Sequence, residues 1–290
     1  SAPTSCARSA SLVARPRRQI TMPQPEHVCK LMPLQLRPAD QLHGVWHDVL
    51  ANIVLPGRHN ATWNNYYDDL VELMQKKIRG TGMWQGRMTP RRIGHGALRV
   101  VEVGTMFGGA SERILQQMPA TELFIVDPFL GGVLGTTKES AAKGGTALDS
   151  GVYPLLRNWG LTTSTLSEAW AQGLAHEFHS RFGCRAHIFH NFSLAAAPIF
   201  EDGSVDVAFI DGLHTYDALV ADLKAWWPKI ADDGVVILND YGTRRHPDVE
   251  RATKAFFRPL DVKICLGKKG VPPGHRNAWV VKGYRCGLSA

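Results

Sequence analysis

The apolar positions fall into short, largely β-branched runs separated by stretches with helical spacing. Val100, Val101 and Val103 form the first run, Leu123 to Val126 the second and Ala186 to Phe189 the third. Val205 to Ile210, Val235 to Leu238, Val262 to Leu266 and Ala278 to Val281 follow. Runs this short and this continuously apolar predict strands covered on both faces. Between them, Ala110 to Met118 suits a helix, and Leu166, Trp170, Leu174, Phe178 and Phe182 recur every fourth residue. A helix from Tyr216 to Ile230 places Leu219, Val220, Leu223, Trp226, Trp227 and Ile230 on one face. Pro247, a favoured first helical residue, opens another helix that reaches Phe257. Regular alternation of strand and helix predicts an α/β fold: a doubly wound, mainly parallel, seven-stranded sheet.

Upstream of this body the pattern changes. Asp40 to Val54 and Asn65 to Ile78 read as two helices, the second with Tyr66, Leu70, Leu73-Met74 and Ile78 at helical spacing and an Asn to cap it. They predict an N-terminal helical extension that packs on the body or covers its pocket. The expected organisation is a basic arm over 1–38, a helical layer over 39–96 and the α/β domain over 97–290. One long irregular stretch, Pro128 to Ser164, interrupts the body. Its place beyond the second strand suits a lid.

Composition modifies this picture in two places. Of the net charge of +7, residues 1–38 hold +5, with Arg8, Arg15, Arg17, Arg18, Lys30 and Arg37 against Glu26 alone. The arm resembles a mitochondrial or plastid transit peptide, or it is a disordered or partner-bound segment through which the chain joins an oligomer or larger complex. Without such targeting the chain is expected in the cytoplasm. The nearly charge-balanced body, lacking a recognisable RNA-binding motif, argues against a nucleic-acid partner. No apolar run approaches a membrane span. Five scattered cysteines predict free thiols in a reducing compartment rather than a zinc site.

The chemistry gathers at strand ends. Gly104 and Gly108-Gly109 follow the first strand, where a sharp turn and a close ligand approach both disfavour a Cβ. Asp127 ends the second strand, where an acid can accept both hydroxyls of a ribose, a reading favoured over a helix cap or turn residue before Pro128. A nucleoside-bearing cofactor between Gly104 and Asp127 is the resulting expectation. The spacing Glu102-x-Gly104-x-x-x-Gly108 is not the GxGxxG of dinucleotide enzymes. Further acids, Asp211 and Asp240, close the fourth and fifth strands, and hydride transfer has no use for them there.

EVGTMFGGAS, FIVDPF, VDVAFIDGLHTYDALVADLKAWWPKI and DDGVVILNDYG together resemble the class I S-adenosylmethionine-dependent methyltransferases. More narrowly, they resemble the group containing metal-dependent sugar O-methyltransferases of macrolide and aminocoumarin biosynthesis. The resemblance covers roughly residues 98–258. It implies that Glu102, Gly104 and Gly108 hold the methionine end of the cofactor, Asp127 the ribose and Ser193 the adenine edge. Ser193 could equally cap the next helix. It also implies a Mg²⁺ site of oxygen ligands, Asp211, Asn239 and Asp240, although many similar sequences have His where Asn239 stands. His214, in the DGLHTY element, is the implied general base, with Asp211 beside it. His246 is a weaker candidate ligand or substrate contact, and Tyr216 and Tyr241 line the pocket or pack. The expected activity is O-methylation of a hydroxyl on a sugar or other small polar molecule. The alternative is a methyltransferase-fold structural subunit of an organellar complex.

Overall fold

The computed structural model describes residues 67–75, 98–129, 163–267 and 276–285, all within the unit Leu34–Ala290. The basic arm, the first expected helix and the lid stretch 130–162 lie outside the described residues.

Seven strands form a single sheet: β1 (Leu98–Val103), β2 (Thr121–Asp127), β3 (Ala186–His190), β4 (Val205–Ile210), β5 (Ile230–Leu238), β6 (Val262–Leu266) and β7 (Ala278–Arg285). Their order is β3-β2-β1-β4-β5-β7-β6. The first five strands run parallel, and β7 runs antiparallel to both β5 and β6. The chain therefore winds outward from β1 to β3, returns to the other side of β1 at β4, and winds outward again. Between β1 and β4 lies the topological switch point, where open α/β sheets bind ligands at the carboxyl ends of their strands.

Side-chain alternation along the strands builds two core layers. Val100, Leu123, Ile125, Val207, Phe209 and Ile237 face one way. They pack against α1 (residues 67–75) through Leu70 and Met74, α2 (Gly109–Gln117) through Ile114 and Leu115, and α3 (Thr163–Phe182) through Trp170, Leu174 and Phe178. Val101, Val103, Val126, Ala208, Ile210 and Val236 face the other way. There they meet α5 (Tyr216–Trp226) through Leu223 and Trp226, and α6 (Pro247–Phe257) through Val249 and Phe257. Each fully buried side chain of this size contributes roughly 1.5–3 kcal/mol of hydrophobic stabilisation. A four-residue helix, α4 (Ser193–Ala196), sits between β3 and β4.

Two departures from the sequence expectation have a clear local cause. Helix α5 stops at Trp226 and tightens into a 3₁₀ turn over Trp227–Lys229, because Pro228 has no amide hydrogen to continue it. Strand β5 starts five residues early, at Ile230, and its register against β4 shifts between Val205 and Val207. Asp232-Asp233-Gly234, a turn by composition, is instead an irregularity within the strand, with Asp233 at φ 64°. Cys265 is a free thiol. Cys184 is disulfide-bonded, against the expectation of five free thiols.

Candidate active site

At the carboxyl end of β1, Gly104 has φ 84°, and the chain is pressed directly onto the end of β4. A Cβ at Gly104 would lie 2.3 Å from the Asp211 carbonyl oxygen and 2.9 Å from the Gly212 Cα. The Asp211 amide donates to the Val103 carbonyl at 2.8 Å, which fixes this approach. The glycine thus serves main-chain packing between two strand ends as well as any ligand above them. Gly108, at φ 77°, is the N-cap of α2, a left-handed position that favours glycine.

Asp127 organises the loop between these glycines. Its Oδ2 accepts the amide hydrogens of Thr105 at 2.7 Å and Met106 at 2.9 Å, and its Oδ1 accepts that of Phe129 at 2.6 Å. The turn-residue reading is therefore realised in the structure. A carboxylate has about four lone-pair sites, so Oδ1 keeps capacity for a further donor. Burial raises the Asp127 pKa and the three amides oppose that rise.

Glu102 is buried beneath the same loop on the α1–α2 face of the sheet. Burial, with the charges of Asp211 and Asp127 adding to it, raises its pKa to about 8, against the opposing hydroxyls of Ser111 and Thr105. Ser111 donates to Glu102 and shares a 2.8 Å hydrogen bond with Thr105. A carboxyl group held neutral in this way ionises readily once a cation arrives, and the ammonium of an amino-acid moiety is one. This has a stability consequence. An unfolded Glu102 ionises near 4.5, whereas the folded one keeps its proton to about 8. Unfolding therefore releases a proton between those values, and stability falls as pH rises through the window. In Glu102→Gln that loss is absent. Its melting temperature relative to wild type is expected to improve by roughly 10 °C, about 5 kcal/mol, between pH 4.5 and pH 8.5. A pH-independent difference in thermal melts would overturn the assignment.

Ser193 does not cap the helix that follows it. Phe192, not Ser193, occupies the N-cap of α4, and no side chain caps it. The Ser193 hydroxyl accepts the indole hydrogen of Trp226 at 2.8 Å and bonds Asp222, whose pKa burial raises to about 6 against that bond. Ser193 thus ties α4 to α5.

Across Gly104 lies a second cluster, at the ends of β4 and β5. His214 Nε2 is 3.4 Å from Asp211 Oδ1 and 3.7 Å from Asp240 Oδ2. His246 Nε2 approaches the same Asp240 oxygen at 3.5 Å, and the two imidazoles stack at 4.3 Å between centroids. Asp240 has φ 54°, and this left-handed residue starts the loop that brings His246 back over it. Thr243 Oγ1 accepts the His246 amide hydrogen at 3.0 Å and steadies that loop. Burial pulls the His214 pKa down, but Asp211 and Asp240 outweigh it and the net shift is upward, with Arg245 opposing. Burial also pushes Asp211 upward, reinforced by Asp240 and opposed by His214 and Asn239.

The structure brings Asp211, Asn239 and Asp240 together, yet Asn239 directs its amide inward. Its Nδ2 donates to Asp211 Oδ1, and its Oδ1 accepts the Asp240 amide hydrogen at 2.7 Å. Each of these two oxygens thus accepts one hydrogen bond within the cluster. Tyr241 is buried in the core, and Tyr216 lies beneath the Arg251 guanidinium at 4.4 Å. Both therefore pack.

Tyr67 was not among the expected site residues. Its ring lies over α2, since a Cβ at Gly109 would come 2.7 Å from Tyr67 Cε2. Burial raises its pKa, and Asp211 and then Glu102 raise it further, so the phenol keeps its proton between the two halves of the site. The only sequence signal was helical spacing, which 67, 70, 71 and 74 satisfy as well as a set starting at Tyr66.

Residues 101–241 match a family model described as a methyltransferase domain. The match spans just under half of the chain and includes Glu102, Gly104, Asp127, Asp211 and Asp240. Over 171 residues the chain is 28% identical to Uncharacterized protein y4gI of Sinorhizobium fredii, a match covering 57% of this chain and 15% of that protein. The chain thus spans a small part of that relative's length. Among solved structures, the O-methyltransferase NovP is 16% identical with a TM-score of 0.47, over 82% of this chain and 97% of NovP. A putative caffeoyl-CoA O-methyltransferase from Staphylococcus aureus is 12% identical with a TM-score of 0.46, over 89% of this chain and 99% of that one. These distant likenesses do not assign a substrate. No helix among the described residues is long and apolar enough to cross a membrane.

Proposed function

We propose that the chain is an S-adenosylmethionine-dependent O-methyltransferase acting on a hydroxyl of a sugar or other small polar molecule. The observation that carries this reading is the contact between Gly104 and Asp211-Gly212. It supports reading the Glu102–Asp127 cradle and the half-buried His–carboxylate cluster as one site. The cradle accounts for a cofactor with an ammonium at one end and a ribose at the other. The cluster accounts for an acceptor that must lose a proton.

In this reaction a lone pair of the acceptor oxygen attacks the sulfonium methyl carbon. The carbon–sulfur bond breaks with its electron pair passing to sulfur, which leaves the neutral thioether S-adenosylhomocysteine. The acceptor's proton goes to the His214 imidazole. Asp211 and Asp240 stabilise the resulting imidazolium, as their upward pull on His214 indicates. Glu102 orients the methionine end, and Asp127 sets the loop on which the cofactor lies. Tyr67 closes the cradle from the α1 side. Titration of S-adenosylhomocysteine into the full chain tests the reading. One-site binding supports it, and no binding leaves a structural subunit in its place.

A further inference from the structure

The cluster at the ends of β4 and β5 contains a ligand set other than the Asp211, Asn239 and Asp240 set that the sequence implied. His214, Asp240 and His246 each offer one metal-ligating atom, and these atoms all lie within 4.8 Å of one another. Asp240 Oδ2 is central, at 3.7 Å from His214 Nε2 and 3.5 Å from His246 Nε2. Ions such as Zn²⁺ take imidazole nitrogen at about 2.0–2.1 Å and carboxylate oxygen at about 2.0–2.2 Å. Ligand atoms spaced as these are can therefore meet on one ion with small side-chain adjustments. His214 Nε2 faces both carboxylates, 3.4 Å from Asp211 Oδ1 and 3.7 Å from Asp240 Oδ2. The loop from Asp240 to His246 is fixed at both ends. The left-handed backbone at Asp240 sets its start, and the Thr243 hydroxyl holds the His246 amide.

We infer that His214, Asp240 and His246 form a two-histidine, one-carboxylate site for a divalent transition ion, Zn²⁺, Co²⁺ or Ni²⁺ in class, rather than a Mg²⁺ site. The donor chemistry decides between the two. Imidazole suits Zn²⁺, Ni²⁺ and Co²⁺, whereas Mg²⁺ requires oxygen in near-octahedral array. Asn239, which would supply one of those oxygens, already bonds Asp211 and the Asp240 amide. A set of three protein ligands leaves positions open on the ion. When bound, the ion supplies a positive charge beside the acceptor oxygen. His214 is then a ligand, so proton transfer to its imidazole belongs to the ion-free chain. The inference rests on the proposed methyl transfer for the use of the ion, not for its binding.

The test is a titration of the full chain, stripped with chelator and desalted, with Co²⁺ followed by visible absorption. The wild type is expected to give a saturable ligand-field spectrum at one ion per chain, displaced by one equivalent of Zn²⁺ and unaffected by millimolar Mg²⁺. His246→Ala and His214→Gln are each expected to weaken Co²⁺ binding by about 100-fold or more, beyond the loss seen when only a ligand's supporting partner is removed. Asp217→Ala, an exposed acid nearby on α5, is expected to change nothing. Thermal melts matching wild type establish that the variants are folded. A spectrum that survives in His246→Ala, or full displacement by Mg²⁺, overturns the inference. S-adenosylhomocysteine binding, measured on the same samples, separates the two readings. It persists if only the ion site is wrong and is absent if the cofactor reading is wrong.

Discussion

His214→Ala is expected to lower kcat for methyl transfer by about 10²- to 10⁴-fold, the range that positioned proton transfer contributes, while S-adenosylhomocysteine affinity stays unchanged. The split follows from geometry, because His214 touches the carboxylates of the β4–β5 cluster and the proposed cofactor cradle is built from β1, β2 and the loop that Asp127 pins. Added imidazole is expected to restore part of the lost rate, which a merely structural histidine would not allow. The pH profile gives an independent check on the ion-free chain. A base works deprotonated, so the rate rises with pH through the His214 pKa, and that pKa lies above the ordinary 6.5. Arg245 opposes the upward shift and Asp240 supports it. Arg245→Ala should therefore move the midpoint to higher pH, and Asp240→Asn should move it lower. Full turnover in His214→Ala, or a midpoint indifferent to both neighbours, would rule out the assignment.

The second large effect is structural. In Gly104→Ala the new methyl carbon falls 2.3 Å from the Asp211 carbonyl oxygen and 2.7 Å from its carbonyl carbon. Both are main-chain atoms held by the Asp211–Val103 hydrogen bond, so no flexible side chain can yield. A left-handed alanine adds about 1–2 kcal/mol, and overpacking adds roughly 1–3 kcal/mol. Together these are expected to lower the melting temperature by about 10 °C. Gly203→Ala isolates the backbone contribution. Gly203 also has positive φ, at 69°, but its Cβ would enter open space, so it should lose only about a third as much. Equal losses in the two variants would contradict the close approach at Gly104. Because that approach joins the two halves of the site, Gly104→Ala is also expected to impair cofactor binding and catalysis together.

The sheet was largely legible because its strands are buried on both faces, which writes them into the sequence as short apolar runs. The β4 run and the Pro247–Phe257 helix match their sequence limits, the latter because proline marks a first helical turn. The start of β5 was not legible. Asp232-Asp233-Gly234 carries every composition signal of a turn, and only pairing with β4 keeps it in the strand. The residues proposed for the cradle were simple to group for a related reason, since Glu102, Gly104, Gly108 and Asp127 lie within one β–α–β unit. Convergence over longer distances left no such trace. His246 meets His214 only because Asp240 adopts a left-handed backbone. Tyr67 reaches Asp211 and Glu102 only because α1 packs on α2. The inward turn of the Asn239 amide likewise depends on where the Asp211 carboxylate and the Asp240 amide lie in space.

Calorimetric titration of S-adenosylhomocysteine into the full chain is the most direct measure of whether the Glu102–Asp127 cradle holds this cofactor. The expected result is one molecule bound per chain by the wild type and by His214→Ala, with binding weakened at least about tenfold, roughly 1.4 kcal/mol, in Asp127→Ala and Glu102→Ala. No binding by the wild type, or binding that ignores both substitutions, would contradict it.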